Sequence, residues 1–259
     1  MSRQYQHIGK QIGEQIEREG YRPGDRLPTE REYAERFAVS RTVVREAFIM
    51  LELAGRVEVR KGSGTYVCAP PPEGVSPDAP DRPEASDDIG PFELLRARQV
   101  IESAVAATAA RTITPTDVRT LGDMLARERA ALSTSPGGRD HGNEPDRADR
   151  DFHLLIARST QNTLLEASVE RLWEQRDRSR MWRRLHERIM DFSYRHSWLE
   201  DHERLLAQLK KRSESGAHDA MWAHLDNVMA TLLAHSDTDD PDFDGYLFGA
   251  RRLAARPPA

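Results

Sequence analysis

Apolar positions follow two different periods within the first 68 residues. In RTVVREAFIMLELA, residues 41–54, Val44, Phe48 and Leu51 recur about once per helical turn, so they share one inward face. Ser40 stands just ahead as an N-cap. Upstream, LPTEREYAERF places Thr29 as a cap with Glu32 three residues later, a capping box that predicts a short helix to about Phe37. The intervening AVS reads as a turn. Gly55 closes the longer helix, and RVEVRKGSGTYV then alternates apolar and polar residues around a KGSG turn, which predicts a β-hairpin. Helix, tight turn, helix and hairpin together make a winged helix-turn-helix.

The pattern changes after residue 68. APPPEGVSPDAPDRPEASDDIG, residues 69–90, has almost no apolar residues to bury and predicts a flexible linker. Only helical periods follow, as far as about Ala234. PFELLRARQVIESAVAATAAR opens with Pro91 in a first-turn position and sets Leu94, Ile101, Val105 and Thr108/Ala109 on one face, with Arg98 among them. An arginine on such a face must snorkel to water, pair within the protein or meet an anion, because a buried unpaired charge is very costly. A second helix runs from Pro115 to about Leu132, and STSPGGRDHGNEP breaks it. The expected architecture is mainly α: a winged helix-turn-helix domain over 1–68, a linker over 69–90, an all-α antiparallel helical bundle over 91–235, and a tail over 236–259 whose aromatics dock on the body.

Charge sharpens this division. The net charge of −5 suits a nucleic-acid binder poorly, yet residues 1–68 hold 12 Lys+Arg against 10 Asp+Glu, leaving −7 for the remainder. The head is basic relative to its body. No apolar run approaches the roughly 20 residues needed to cross a bilayer, and the N-terminus lacks the apolar core of a signal peptide, so a cytoplasmic location is expected. The one cysteine, Cys68, can form no internal disulfide and reads as a filler at a strand end.

In the predicted second helix, the spacing leaves Arg41, Thr42 and Arg45 on the face opposite Val44, Phe48 and Leu51. Arg and Thr at the early turns of a helix that follows a tight turn suit entry into a DNA major groove. Lys61 and Gly62 at the hairpin tip are placed to reach the neighbouring groove. LPTEREYAERFAVSRTVVREA followed by VEVRKGSG resembles the DNA-binding domain of the GntR superfamily of bacterial transcription regulators, over nearly all of residues 5–68. The resemblance implies DNA contacts by Arg31, Ser40, Arg41, Thr42, Arg45, Lys61 and Gly62, and binding to palindromic double-stranded operators as a homodimer.

The helical body carries a second constellation. Asp149 and His153 in DRDFHLLIA are four residues apart and share a stripe with Ile156. His202 shares one with Leu199, Leu205, Leu206 and Leu209, and His224 with Met221, Leu225 and Val228. Three inward histidines and an aspartate suit a divalent metal such as Zn²⁺, Ni²⁺ or Mn²⁺, with no thiolate to force zinc. One strain appears if the last two helices reverse at Gly216. His202 lies 14 residues before that glycine and His224 8 after it, an offset of about 9 Å at 1.5 Å per residue. A metal-dependent hydrolase or isomerase is the alternative, but no H-E-x-x-H motif is present, and Asp151, Glu200 and Glu203 read as outer-face charges.

Asp-x-x-x-His, then a His in EDHERLL, then a His in MWAHL resembles the FadR-type branch of that superfamily, whose all-helical FCD effector domain binds a metal. The resemblance implies Asp149, His153, His202 and His224 as ligands and places Arg98 beside the effector cavity, where it would take a carboxylate. GPFELLRARQVIES, LWEQRDRSRMWRRLHERI, AMWAHLDN and FDGYLF are further similar to the hexuronate-utilisation repressors of the branch, and Trp173, Trp182 and His186 belong to that likeness. It implies a repressor of sugar-acid catabolism answering a hexuronate. The shared metal site equally admits another small carboxylate, such as lactate or an aldonate.

Overall fold

The computed structural model describes residues 3–60, 62–69, 88–134, 144–187 and 194–236. Lys61, most of the expected linker and all but the first residue of the expected tail lie outside the described residues. The chain divides into two compact units.

The first unit holds α1 (Gln4–Arg18), α2 (Glu30–Phe37), α3 (Arg41–Leu53), β1 (Val57–Arg60) and β2 (Gly64–Val67). The capping box forms as its spacing predicts: Glu32 N donates to the Thr29 hydroxyl and Thr29 N to the Glu32 carboxylate. The Thr29 hydrogen bonds lower the Glu32 carboxyl pKa. Ser40 caps α3. Tyr5, Ile8, Ile12 and Ile16 of α1 are buried, as are Val44, Ala47, Phe48 and Leu51 of α3, and Tyr33 of α2 meets Phe48 edge-on at 5.7 Å. α1 crosses α3 at Gly9, where an added Cβ would stand 2.2 Å from Met50 Cε. The strands pair antiparallel from Val57–Val67 to Arg60–Gly64, and Gly62 and Gly64 take the left-handed conformations the turn requires.

The first unit is not continuous in sequence. α8 (Arg180–Glu187), from the second half of the chain, joins it. Arg184 pairs with Glu52 of α3 at 2.9 Å, and Asp88 accepts from the backbone N–H groups of Arg180 and Met181, satisfying donors that a helix start leaves open. Asp88 is itself held through its carbonyl by Arg3 and Tyr5.

The second unit is all-helical: α4 (Pro91–Thr112), α5 (Pro115–Thr134), α6 (Glu144–Arg158), α7 (Thr163–Arg178), α9 (Tyr194–Lys210) and α10 (Glu214–His235). Val105 of α4, Leu154 and Ala157 of α6, and Val169 and Trp173 of α7 form one buried cluster, with Ile101 and Leu165 at its edge. The reversal between α9 and α10 falls at residues 211–213, where Arg212 adopts φ 53°, and Gly216 lies inside α10. This corrects the expected turn position and removes its consequence. His202 and His224 stand 10 and 12 residues from Arg212, an offset of only about 3 Å.

Candidate functional site

Asp149, His153, His202 and His224 converge from α6, α9 and α10, each offering one ligand atom within 4.8 Å of the others. His202 Nε2 lies 3.2 Å from His224 Nε2 and 3.5 Å from Asp149 Oδ1, and His153 Nε2 also lies 3.5 Å from Asp149 Oδ1. The three imidazoles are 1–2% exposed. Burial lowers the pKa values of His202 and His224 further than nearby carboxylates raise them, so both rings are neutral and present lone pairs. Burial also pushes the Asp149 carboxyl up, but His153, followed by His202, holds it well below the usual range. Asp149 Oδ1 and His153 Nε2 are buried with no hydrogen-bond partner among the described residues. Three nitrogens and a carboxylate oxygen facing one point, with Asp149 Oδ1 and His153 Nε2 lacking a hydrogen-bond partner among the described residues, fit a divalent cation of the Zn²⁺, Ni²⁺ or Mn²⁺ kind.

A second layer encloses these side chains. Glu102 of α4 bonds Nδ1 of His153 through Oε2 and accepts from Arg98 Nε through Oε1 at 2.6 Å. Burial would raise the Glu102 carboxyl, yet Arg98 and then His153 outweigh it and hold the pKa at about 2. His153 is lowered by burial but raised more by Glu102 and Asp149, for a net upward shift. Asp201, held by Asn227 at 2.8 Å, lies 3.5 Å from His224 Nδ1. The Arg98 guanidinium carbon sits 3.9 Å from the ring centroid of Trp173, whose face attracts the cation, and Arg98 Nη2 is buried without a hydrogen-bond partner among the described residues. Glu128 stands near Asp149, and burial followed by Asp149 raises its pKa to about 7. Trp173 packs in the core beside Arg98 and His153, whereas Trp182 stacks on His186 within α8 of the other unit.

On the first unit, Arg31, Ser40, Arg41 and Gly62 are exposed, Arg31 pairing with Glu35 at 3.7 Å. Lys61 lies outside the described residues. The outward face expected of α3 is corrected at two positions: Thr42 is 7% and Arg45 1% exposed. Nearly all of α3 beyond Arg41 is covered. Arg45 turns its Nε and Nη2 onto Glu30 at 2.5–2.9 Å, and its Nη1 donates to Ser236.

Residues 4–67 match the model of bacterial regulatory proteins of the gntR family, and residues 93–227, more than half of the chain, match the FCD domain. The Uxu operon regulator of Haemophilus influenzae is 45% identical over 249 residues, covering 96% of this chain and 89% of that one. The Uxu operon transcriptional regulator of Escherichia coli is 44% identical, covering 95% and 93%, and the Exu regulon transcriptional regulator of E. coli is 41% identical, covering 95% and 91%. This chain belongs to the gntR family and carries an FCD domain.

The GntR-family protein is therefore a DNA-binding transcriptional regulator and not an enzyme, with a winged helix-turn-helix head and a helical domain. No helix among its described residues is long and apolar enough to cross a membrane. Sequence reasoning missed Glu102 and Asp201. Glu102 had one visible sign: it lies four residues after Arg98, the helical spacing of an ion pair.

Proposed function

We propose that the regulator is a cytoplasmic homodimeric repressor of a hexuronate catabolic operon, controlled by a hexuronate carboxylate bound at a metal-containing site in its FCD domain. One observation carries the effector assignment. Arg98, 2% exposed, keeps a donor unpartnered among the described residues and is joined through Glu102 to His153. A guanidinium so placed offers a fixed charge-assisted hydrogen bond to a carboxylate. The choice of a hexuronate is supported by 41–45% identity to regulators of the Uxu operon and Exu regulon across nearly the whole chain.

Asp149, His153, His202 and His224 would hold the metal. When bound, it would supply an electrophilic centre with open positions for the oxygens of a sugar acid. Arg98 would orient the carboxylate, Trp173 keeps water from one face of the guanidinium, and Asp201 supports His224. Arg31, Ser40, Arg41, Lys61 and Gly62 would contact a palindromic operator, and Thr42 would do so only on uncovering its buried side chain. Arg45 would join them only on leaving Glu30. The effector would release DNA only if it binds the DNA-incompetent arrangement more tightly.

Thermal unfolding of the purified protein against galacturonate, glucuronate, fructuronate, tagaturonate, lactate and gluconate, before and after metal stripping, tests this. A midpoint raised by one hexuronate, lost on stripping and restored by added Zn²⁺, is expected, because a ligand of the native state stabilises it. A shift with lactate or gluconate alone would replace the hexuronate by that carboxylate. Equal operator affinity with and without every uronate would refute the proposal.

A further inference from the structure

Both neighbours of the Glu102 carboxylate are donors. Arg98 Nε–H points at Oε1 from one turn earlier on α4, and the His153 ring meets Oε2 from α6. All three side chains are at most 3% exposed, so these bonds are shielded from bulk solvent. Arg98 cannot act as an acceptor. With Oε1 engaged by Arg98, Oε2 remains to accept from Nδ1 of His153. A neutral imidazole carries a proton on one nitrogen only, so a proton held at Nδ1 leaves Nε2, the nitrogen facing Asp149, with its lone pair free. The same carboxylate also fixes where the Arg98 guanidinium lies over Trp173.

We propose that Glu102 is the positioning residue joining the two halves of the site: one oxygen sets the His153 tautomer that binds metal, and the other holds the arginine that receives the effector carboxylate. This rests on the metal and effector reading above and adds a consequence to it. Metal binding fixes His153, hence Glu102, hence Arg98. Metal and carboxylate then bind with positive coupling, and linkage makes the coupling factor the same in both directions.

Glu102→Gln is the informative change because it keeps the shape and removes one acceptor. If the amide oxygen faces His153, the amide NH2 meets the Arg98 donor. If the oxygen faces Arg98, the NH2 donates to Nδ1 and forces the proton onto Nε2, where it blocks the metal. No orientation satisfies both neighbours.

The test uses the full chain. Zn²⁺ affinity by chelator competition should fall by about 10–100-fold in Glu102→Gln, the usual effect of losing a partner behind a metal ligand. Glu102→Asp, which keeps two acceptors, should recover part of the loss. The Co²⁺-loaded absorption spectrum should change in Glu102→Gln. Galacturonate affinity, measured with and without Zn²⁺, should show a coupling factor in the wild type that approaches one in Glu102→Gln. A measurement on the wild type alone guards against a variant that does not fold. Long-range ¹H–¹⁵N NMR of the Zn²⁺-loaded protein should find the His153 proton on Nδ1. Wild-type Zn²⁺ binding together with Zn²⁺ affinity in Glu102→Gln within threefold of wild type, or a His153 that ligates through Nδ1, overturns the role of Glu102 and leaves the metal site standing. A wild type that binds no Zn²⁺, Ni²⁺ or Mn²⁺ overturns both.

Discussion

Replacing Glu30 by alanine will loosen α2 and α3 far more than an ordinary charge deletion. The Glu30 and Arg45 side chains are 2% and 1% exposed, and both carboxylate oxygens accept from the guanidinium. Without Glu30, Arg45 loses the carboxylate that takes its Nε and Nη2 and keeps the Ser236 hydroxyl on Nη1. Removing one partner of a buried ion pair costs about 3–5 kcal/mol. At about 1.4 kcal/mol per decade, the opening equilibrium of the two helices should rise by roughly two to nearly four orders of magnitude. The Arg31–Glu35 pair supplies the control: its side chains are 75% and 72% exposed, and such pairs contribute less than about 1 kcal/mol. Amide hydrogen exchange of α2 and α3 peptides in the full chain reads this locally, whatever the rest of the molecule does. Glu30→Ala, Arg45→Ala and the double variant form a cycle, and the double should be less destabilised than the sum, because neither charge is left behind. Glu30→Ala with no more effect than Glu35→Ala, or strictly additive single changes, would refute the argument.

Three further outcomes follow from the site and the DNA-binding head. Ala at His202 or His224 should abolish tight Zn²⁺ binding, read as metal content after dialysis, and with it operator release by the effector; full metal content in both variants contradicts the ligand set. Arg41→Ala should weaken operator binding and lower its salt slope by about one, leaving uronate binding unchanged; an undiminished slope would remove Arg41 from the phosphate contacts. Zn²⁺ affinity should rise with pH above the ordinary histidine range, since burial lowers His153 but Glu102 and Asp149 raise it more, so metal must displace its proton. His202 and His224, lowered by burial, add no competing proton there. Chelator competition across about pH 6 to 9 that shows no change would argue against a protonated His153 in the metal-free protein.

The head was legible because its signals are local. Thr29 with Glu32, Ser40 before an apolar period, and glycines at a hairpin turn each act within a few residues. The convergence of Asp149, His153, His202 and His224 was legible for a related reason: i and i+4 share a helix face, and polar residues on an apolar stripe stand out. The loop between α9 and α10 was not. Glycine is the usual sign of a reversal, yet here Arg212 takes the left-handed conformation while Gly216 continues a helix. α8 was missed as a member of the first unit because its supports come from far away in sequence, its start capped by Asp88 and its Arg184 paired with Glu52. The burial of Arg45 depends in the same way on Glu30, fifteen positions earlier on another helix.

Two arginines that sequence resemblance makes functional are thus each held by a carboxylate, and the difference lies in which donors are engaged. Glu30 takes both Nε and Nη2 of Arg45, and Ser236 takes Nη1, so Arg45 can bind a new anion only by giving up a bond it already has. Glu102 takes Nε of Arg98, and Nη2 stays buried without a hydrogen-bond partner among the described residues. An incoming carboxylate at Arg98 can therefore add a bond without removing one. A buried guanidinium with one edge paired and another open keeps its position while retaining affinity for an anion, which is what a ligand sensor requires of a fixed charge. An arginine saturated like Arg45 serves first to hold one helix on another, and any part it took in reading DNA would have to begin with breaking that pair.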